Sequence, residues 1–151
     1  MSKNSKLFTT LTIFVLLTLV LVPSVAAFDG REGDHIVIGP DEVIEDDLYI
    51  GAQTVTIDGV IEGDLFAGAE SVIVNGTITG NLVTGAQTVL INGEVEGDVI
   101  AFAQSVVING SIGDDLRSGA AAMQLGEDAR IGSDLLFGGA SIEVMPGSQI
   151  G

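Results

Sequence analysis

From Asp47 onward, aliphatic residues return at fixed places in a pattern that repeats mostly every 17 residues. Let the Asp or Asn that opens each copy be position 1. Position 2 is then Leu48, Leu65, Leu82, Val99, Leu116 and Leu135. Position 9 is Val55, Val72, Val89, Val106, Met123 and Ile142, and position 11 is Ile57, Val74, Ile91, Ile108, Leu125 and Val144. Position 15 is Ile61, Ile78, Val95 and Ile112 in the four clear copies, 47–63, 64–80, 81–97 and 98–114. Two drifted copies follow at 115–133 and 134–151, each with two extra residues after position 11.

Positions 9 and 11 flank a variable position 10, which is the signature of a strand with one face buried. The i, i+3, i+4 spacing of an amphipathic helix is absent. Glycines at positions 13 and 17, beside Asp or Asn, predict tight corners with positive φ. Three short strands and three corners per copy predict an all-β fold. The expected architecture is a parallel β-helix of about six rungs of 17–19 residues, triangular in cross-section. The aliphatic gaps are uneven, unlike the hexapeptide period of left-handed β-helices. Right-handed crossover is also the rule for parallel strands, so a right-handed coil is expected.

Residues 47–151 form the repeat region, and 28–46 read as an N-terminal cap and a partial first rung. His35 to Asp46 carries the same longer corner as the drifted copies, with residues 28–34 over its open end. One rung cannot stand alone. Its inward aliphatics contribute roughly 1.5–3 kcal/mol each, while ordering its backbone costs roughly 1–2 kcal/mol per residue. Rungs are stable only by sharing hydrogen bonds and core with their neighbours.

Residues 1–27 read as a secretory signal peptide. Lys3 and Lys6 precede an apolar stretch from Leu7 to Val22, and Val25-Ala26-Ala27 offers small residues before Phe28. The stretch is shorter than the ~20 residues a spanning helix needs. Export follows whether or not it is cleaved, because the positive-inside rule keeps the lysines in the cytoplasm. An uncleaved segment is the only expected link to a membrane. The expected location is extracytoplasmic, in the cell envelope or secreted.

Both lysines lie in that segment. Residues 28–151 keep Arg31, Arg117 and Arg130 against all 21 acidic residues, a net charge of −18. Nucleic acid is excluded as a partner, since it requires a basic face. The chain has no cysteine, so no disulfide supports the stack.

Position 12 reads Asp58, Asn75, Asn92 and Asn109, each followed by glycine. Stacked amides at that corner predict a hydrogen-bonded ladder. Position 1 carries carboxylates except at Asn81. Rungs lie about 4.8 Å apart, where two carboxylates repel by roughly 1–3.5 kcal/mol for effective dielectrics of 80 to 20. Asn81 relieves that repulsion between Asp64 and Asp98. The position 1 carboxylates are expected to accept corner N–H bonds and face water. Glu62 with Asp64, and Glu96 with Asp98, are weak candidates for Ca²⁺, which wants six to eight oxygens. No other cofactor is implied.

Two outward columns are apolar: Tyr49, Phe66, Val83 and Ile100 at position 3, and Ile73, Leu90 and Val107 at position 10. Stacking aligns them into stripes, which suit lateral contact. The terminal rungs, around Ile36 and Ile38 at one end and Val144 and Ile150 at the other, are the second candidate for self-association. No catalytic set is evident: His35 is the only histidine, and no Ser-His-acid arrangement stands out.

Rungs reading Gly-Asp-Leu/Val…Val-x-Ile-Asn-Gly-x-Ile-x-Gly resemble the bactofilins, a polymer-forming cytoskeletal family. The resemblance covers roughly residues 36–151. It implies a right-handed β-helix that polymerises end to end without nucleotide and scaffolds the cell envelope. Leu65, Val72, Val74 and Ile78 would then be core, and the terminal rungs contact surfaces. Typical bactofilins are cytoplasmic, whereas this chain carries an export signal. The expected function is a non-enzymatic, self-assembling structural protein whose partner is itself and possible envelope components. The alternative is an acidic exported binding module for Ca²⁺, glycan or an envelope protein.

Overall fold

A computed structural model describes residues 29–151. The expected signal segment lies outside the described residues. The described chain is all-β, with parallel strands stacked as a solenoid of about 7 turns. Each turn contributes one long and one very short stretch of strand. The long stretches are continuous in Asp29–Ile38, Leu48–Ile57, Val99–Ile108, Leu116–Leu125 and Leu135–Val144. They are divided in Leu65–Gly68 with Ser71–Val74, and in Leu82–Gly85 with Thr88–Ile91. Two-residue strands, such as Val60–Ile61 and Thr77–Ile78, form a separate 7-stranded sheet.

The long stretch is not one flat strand. Leu48 and Ile50 point inward at even numbers, and Val55 and Ile57 point inward at odd ones. A straight strand keeps one parity, so the chain turns a corner near Ala52 and Gln53. With the two-residue strand, this makes three inward-facing segments per turn.

Register is strict. Leu48 pairs with Leu65, Leu65 with Leu82, Val99 with Leu82, and Leu116 with Leu135. Like residues therefore stack on like, and positions 2, 9, 11 and 15 form one continuous core. Position 4 joins it through Ile50, Ala67 and Ala101, with Thr84 and Ser118 as buried polar members. The Thr84 hydroxyl donates to the Ala67 carbonyl at 2.9 Å. The Ser118 hydroxyl is buried without a partner.

Three expectations are corrected. Residues 29–46 form a full first turn, because Asp29–Ile38 pairs along its length with Leu48–Ile57; sequence periodicity missed it because inward positions there are polar. Corner glycines at positions 13 and 17 do not have positive φ; Gly147 and Gly151 alone do among the described residues. They are glycine because backbones touch. A Cβ on Gly76 would lie 2.0 Å from the Gly59 carbonyl oxygen, and one on Gly93 2.0 Å from that of Gly76. Thirdly, Ile38 is 0% exposed and Ile36 half-buried, so neither offers an open contact surface at that end.

Candidate interaction surfaces

The long-corner turns build themselves locally. Glu42 N donates to Gly39 O at 2.9 Å, and Ala129 N to Gly126 O at 3.1 Å. These corners interrupt the regular 17-residue ladder at residues 39–42, 126–129 and 145–148 without breaking the pairing around them.

At the position 1 corner, each side chain accepts the main-chain N–H of the next turn. Asp47 Oδ1 accepts from Asp64 N at 2.8 Å, Asp64 Oδ1 from Asn81 N at 2.7 Å, and Asn81 Oδ1 from Asp98 N at 2.8 Å. The series continues from Asp98 to Asp115 and from Asp115 to Asp134, both at 3.0 Å. These carboxylates are thus occupied as corner acceptors. The Asp134 N–H first, and then the Ser133 side chain, hold the Asp115 carboxyl below its ordinary range; desolvation opposes them and Arg117 adds to them.

At the position 12 corner the amide ladder forms as expected. Asn75 Nδ2 donates to Asp58 Oδ1 at 2.7 Å. Asn92 donates to Asn75, and Asn109 to Asn92, each at 2.9 Å. A deprotonated Asp58 carboxylate is a pure acceptor, so it suits the first step of a ladder that needs only an oxygen.

The Ca²⁺ candidates do not converge. No group of three or more metal-capable side chains occurs among the described residues. Asp64 is engaged by Asn81, and Asp98 by the Asp115 N–H and by Arg117 at 3.4 Å.

The outward apolar columns fall on two different sides of the solenoid, separated by the corner near Gln53. Position 3 is the more pronounced. Tyr49 and Phe66 stack face to face with ring centroids 4.8 Å apart and 5° between planes. Beside this ridge, position 5 is Gly51, Gly68 and Gly85. Together they leave a shallow trough of about 670 Å³, closed at one end by Phe102. Ile73, Leu90 and Val107 are half-buried on the other side, between the hydroxyl-bearing residues of position 8 and the asparagines of position 12.

The two ends of the stack differ. In the first turn, Asp29 and Arg31 occupy inward positions 2 and 4. Arg31 pairs with Glu42 at 3.0 Å and with Asp29 at 3.6 Å, so charged side chains lie over the core in the first described turn. At the other end Ile142, Val144 and Ile150 are 42%, 50% and 44% exposed. Leu135 and Phe137 pack against the core from above and remain half-exposed. The polar cover was not legible as such, since Asp29 and Arg31 show no periodic signal. Comparison of the chain with family models, with curated proteins and with solved structures gives no match.

Proposed function

We propose that this chain is a non-enzymatic structural protein, an exported, bactofilin-like β-solenoid that associates with itself into filaments or an envelope scaffold. The observation that supports it is that, among the described residues, Ile142, Val144 and Ile150 of the last turn stand exposed and the outer edges of Leu135–Val144 and Gln149–Ile150 pair with no further strand. Free strand edges are templates for pairing with another chain, and an apolar face over them adds burial to that pairing. The surrounding −18 charge disfavours indiscriminate aggregation, which confines association to surfaces without carboxylates. Export rests on residues 1–27, and the mass of the protein recovered outside the cytoplasm tests cleavage after Ala27.

Negative-stain microscopy and sedimentation of residues 28–151 test self-association. Extended or higher-order particles are expected. Ile142→Asp with Val144→Asp should shorten or abolish them while the fold persists, because both sites are already exposed. A strictly monomeric parent chain at high concentration, with divalent ions present, would end the reading. The alternative, an acidic binding module, lacks a carboxylate cluster of metal-binding size among the described residues. It would return if calorimetry found tight Ca²⁺ binding.

A further inference from the structure

On the face that carries positions 3 and 5, six of the seven turns place a glycine at one position and a larger residue at the other. Tyr49 goes with Gly51, Phe66 with Gly68, and Val83 with Gly85. The first turn reverses the order, Gly30 then Glu32. Neither packing nor backbone conformation requires Gly51, Gly68 or Gly85. A Cβ added at Gly51, Gly68 or Gly85 meets nothing within 4 Å, and none has a positive φ. At the corners, as at Gly59, Gly76, Gly93 and Gly110, glycine marks a backbone contact; here it marks empty space beside a ridge.

We propose that this face pairs with the same face of a second copy, about a two-fold axis parallel to the solenoid axis. Such an axis, passing over position 4, lays position 3 of each turn over position 5 of the same turn in the other copy. Phe66 of one copy fills the space over Gly68 of the other, and Tyr49 fills that over Gly51. The reversed first turn obeys the same rule, since the two-fold exchanges the two positions. This is the self-complementarity that an isologous contact demands.

The exception is the turn 98–114, where Ile100 and Phe102 are both large. The Phe102 ring, 63% exposed, leans out of its own turn onto Gly119, where an added Cβ would come within 3.0 Å of it. Arg117 of the second copy passes over Gly119, and therefore over this ring, a favourable placement of a cation on an aromatic face.

Charge selects the same surface. Two chains at −18 repel, so a contact must avoid carboxylates. Across all seven turns the outward positions 3 and 5 hold Glu32 and Arg117 as their charged residues. Each faces a glycine of the second copy, and no like charges meet. The face measures about 34 Å by 13 Å, or roughly 440 Å² per copy, from strand and rung spacings. That is about half of the ~800 Å² a partner buries in a standard interface. The pairing is therefore weak and concentration-dependent. It deepens the self-association reading above but does not use the ends of the stack.

The chain has no cysteine, so introduced cysteines report contacts without background. Val83→Cys chains mixed with Gly85→Cys chains, oxidised at high concentration, should give the mixed disulfide as the main linked product. End-to-end contact does not bring residues 83 and 85 of different copies together, so this outcome stands apart from assembly through the ends. Gly68→Phe should weaken lateral pairing about tenfold or more by blocking a central contact, with the fold intact by circular dichroism. The double exchange Phe66→Gly with Gly68→Phe should restore pairing, because it keeps one glycine opposite one ring. No mixed disulfide, preferential self-linking of Val83→Cys, or undiminished pairing by Gly68→Phe would each overturn the proposal.

Discussion

Asn81 stands one turn above Asp64 and donates to it twice: its main-chain N–H and its side-chain amide both reach Asp64 Oδ1, at 2.7 and 3.2 Å. An aspartate at the same place could supply the first bond but not the second. Position 81 therefore does two things at once. It keeps the corner acceptors in register, and it places a donor where the column would otherwise set charge on charge.

Asn81→Asp should test this directly. The variant keeps the acceptor for Asp98 N, loses the side-chain donation to Asp64, and makes an unbroken run of carboxylates from Asp47 to Asp134. A loss of about 1 kcal/mol or more at neutral pH is expected from like charges one rung apart. The loss should shrink on adding salt and on acidification, since repulsion favours the protonated form. Urea midpoints at low and high ionic strength decide it; a salt-independent loss would contradict the electrostatic account.

Glycines in this chain should divide into two classes under substitution by alanine. Gly76→Ala places a methyl against the Gly59 carbonyl oxygen, and neighbouring backbone must move. A destabilisation of about 3 kcal/mol is expected, at the upper end for overpacking. Gly51→Ala enters open space with no positive φ. It should be neutral or stabilise by about 0.4–1 kcal/mol through the unfolded chain. The thermal melt should fall for Gly76→Ala and stay level or rise for Gly51→Ala.

Core deletions should depend on depth in the stack. Leu82 is fully buried with a turn of leucine above or below, so Leu82→Ala should cost about 2–5 kcal/mol. Leu135, at the upper end, is only half-buried, and its truncation should cost clearly less. Hydrogen exchange should show the first variant loosening turns on both sides of the cavity, as nearest-neighbour coupling in a solenoid requires.

Acid stability should carry a contribution from Asp115. Its carboxyl is held below the ordinary value of 3.8 by the Asp134 N–H first of all. A depressed folded pKa means that the unfolded chain binds the proton more readily. The stabilisation is thus fully present above the ordinary value and is lost as pH falls through the folded one. Asp115→Asn, which still offers an acceptor to Asp134 N as Asn81 does to Asp98 N, should flatten the acid limb from the ordinary value of 3.8 downward. An unchanged limb in urea titrations would place the acid response elsewhere.

Periodic aliphatics such as Leu65, Val72, Val74 and Ile78 made the coil and its core legible in the sequence. Position 4 was not, because Ala67, Thr84, Ala101 and Ser118 share no hydropathy and only register reveals their common inward direction. The role of the corner glycines is not legible for a related reason. Asn-Gly signals a turn equally well whether glycine serves a dihedral angle or a contact 17 residues away, and only coordinates separate the two. The first turn escaped notice because Asp29 and Arg31 occupy inward places with charge. The alternation of bulk and glycine at positions 3 and 5 was visible as a list of residues. Its meaning required knowing that the space over the glycines is empty.

Every side-chain bond of the two corner ladders runs in one sense: the later turn donates and the earlier turn accepts. Acceptors are thus complete on each finished turn before the residues that use them exist in place. Nearly all of these bonds close the same loop of 17 residues, so each added turn meets the same entropic step as the last. A chain delivered from its N-terminus, during synthesis or threading across a membrane, can therefore wind up turn by turn on a template it has already made, with no need to wait for its final residues.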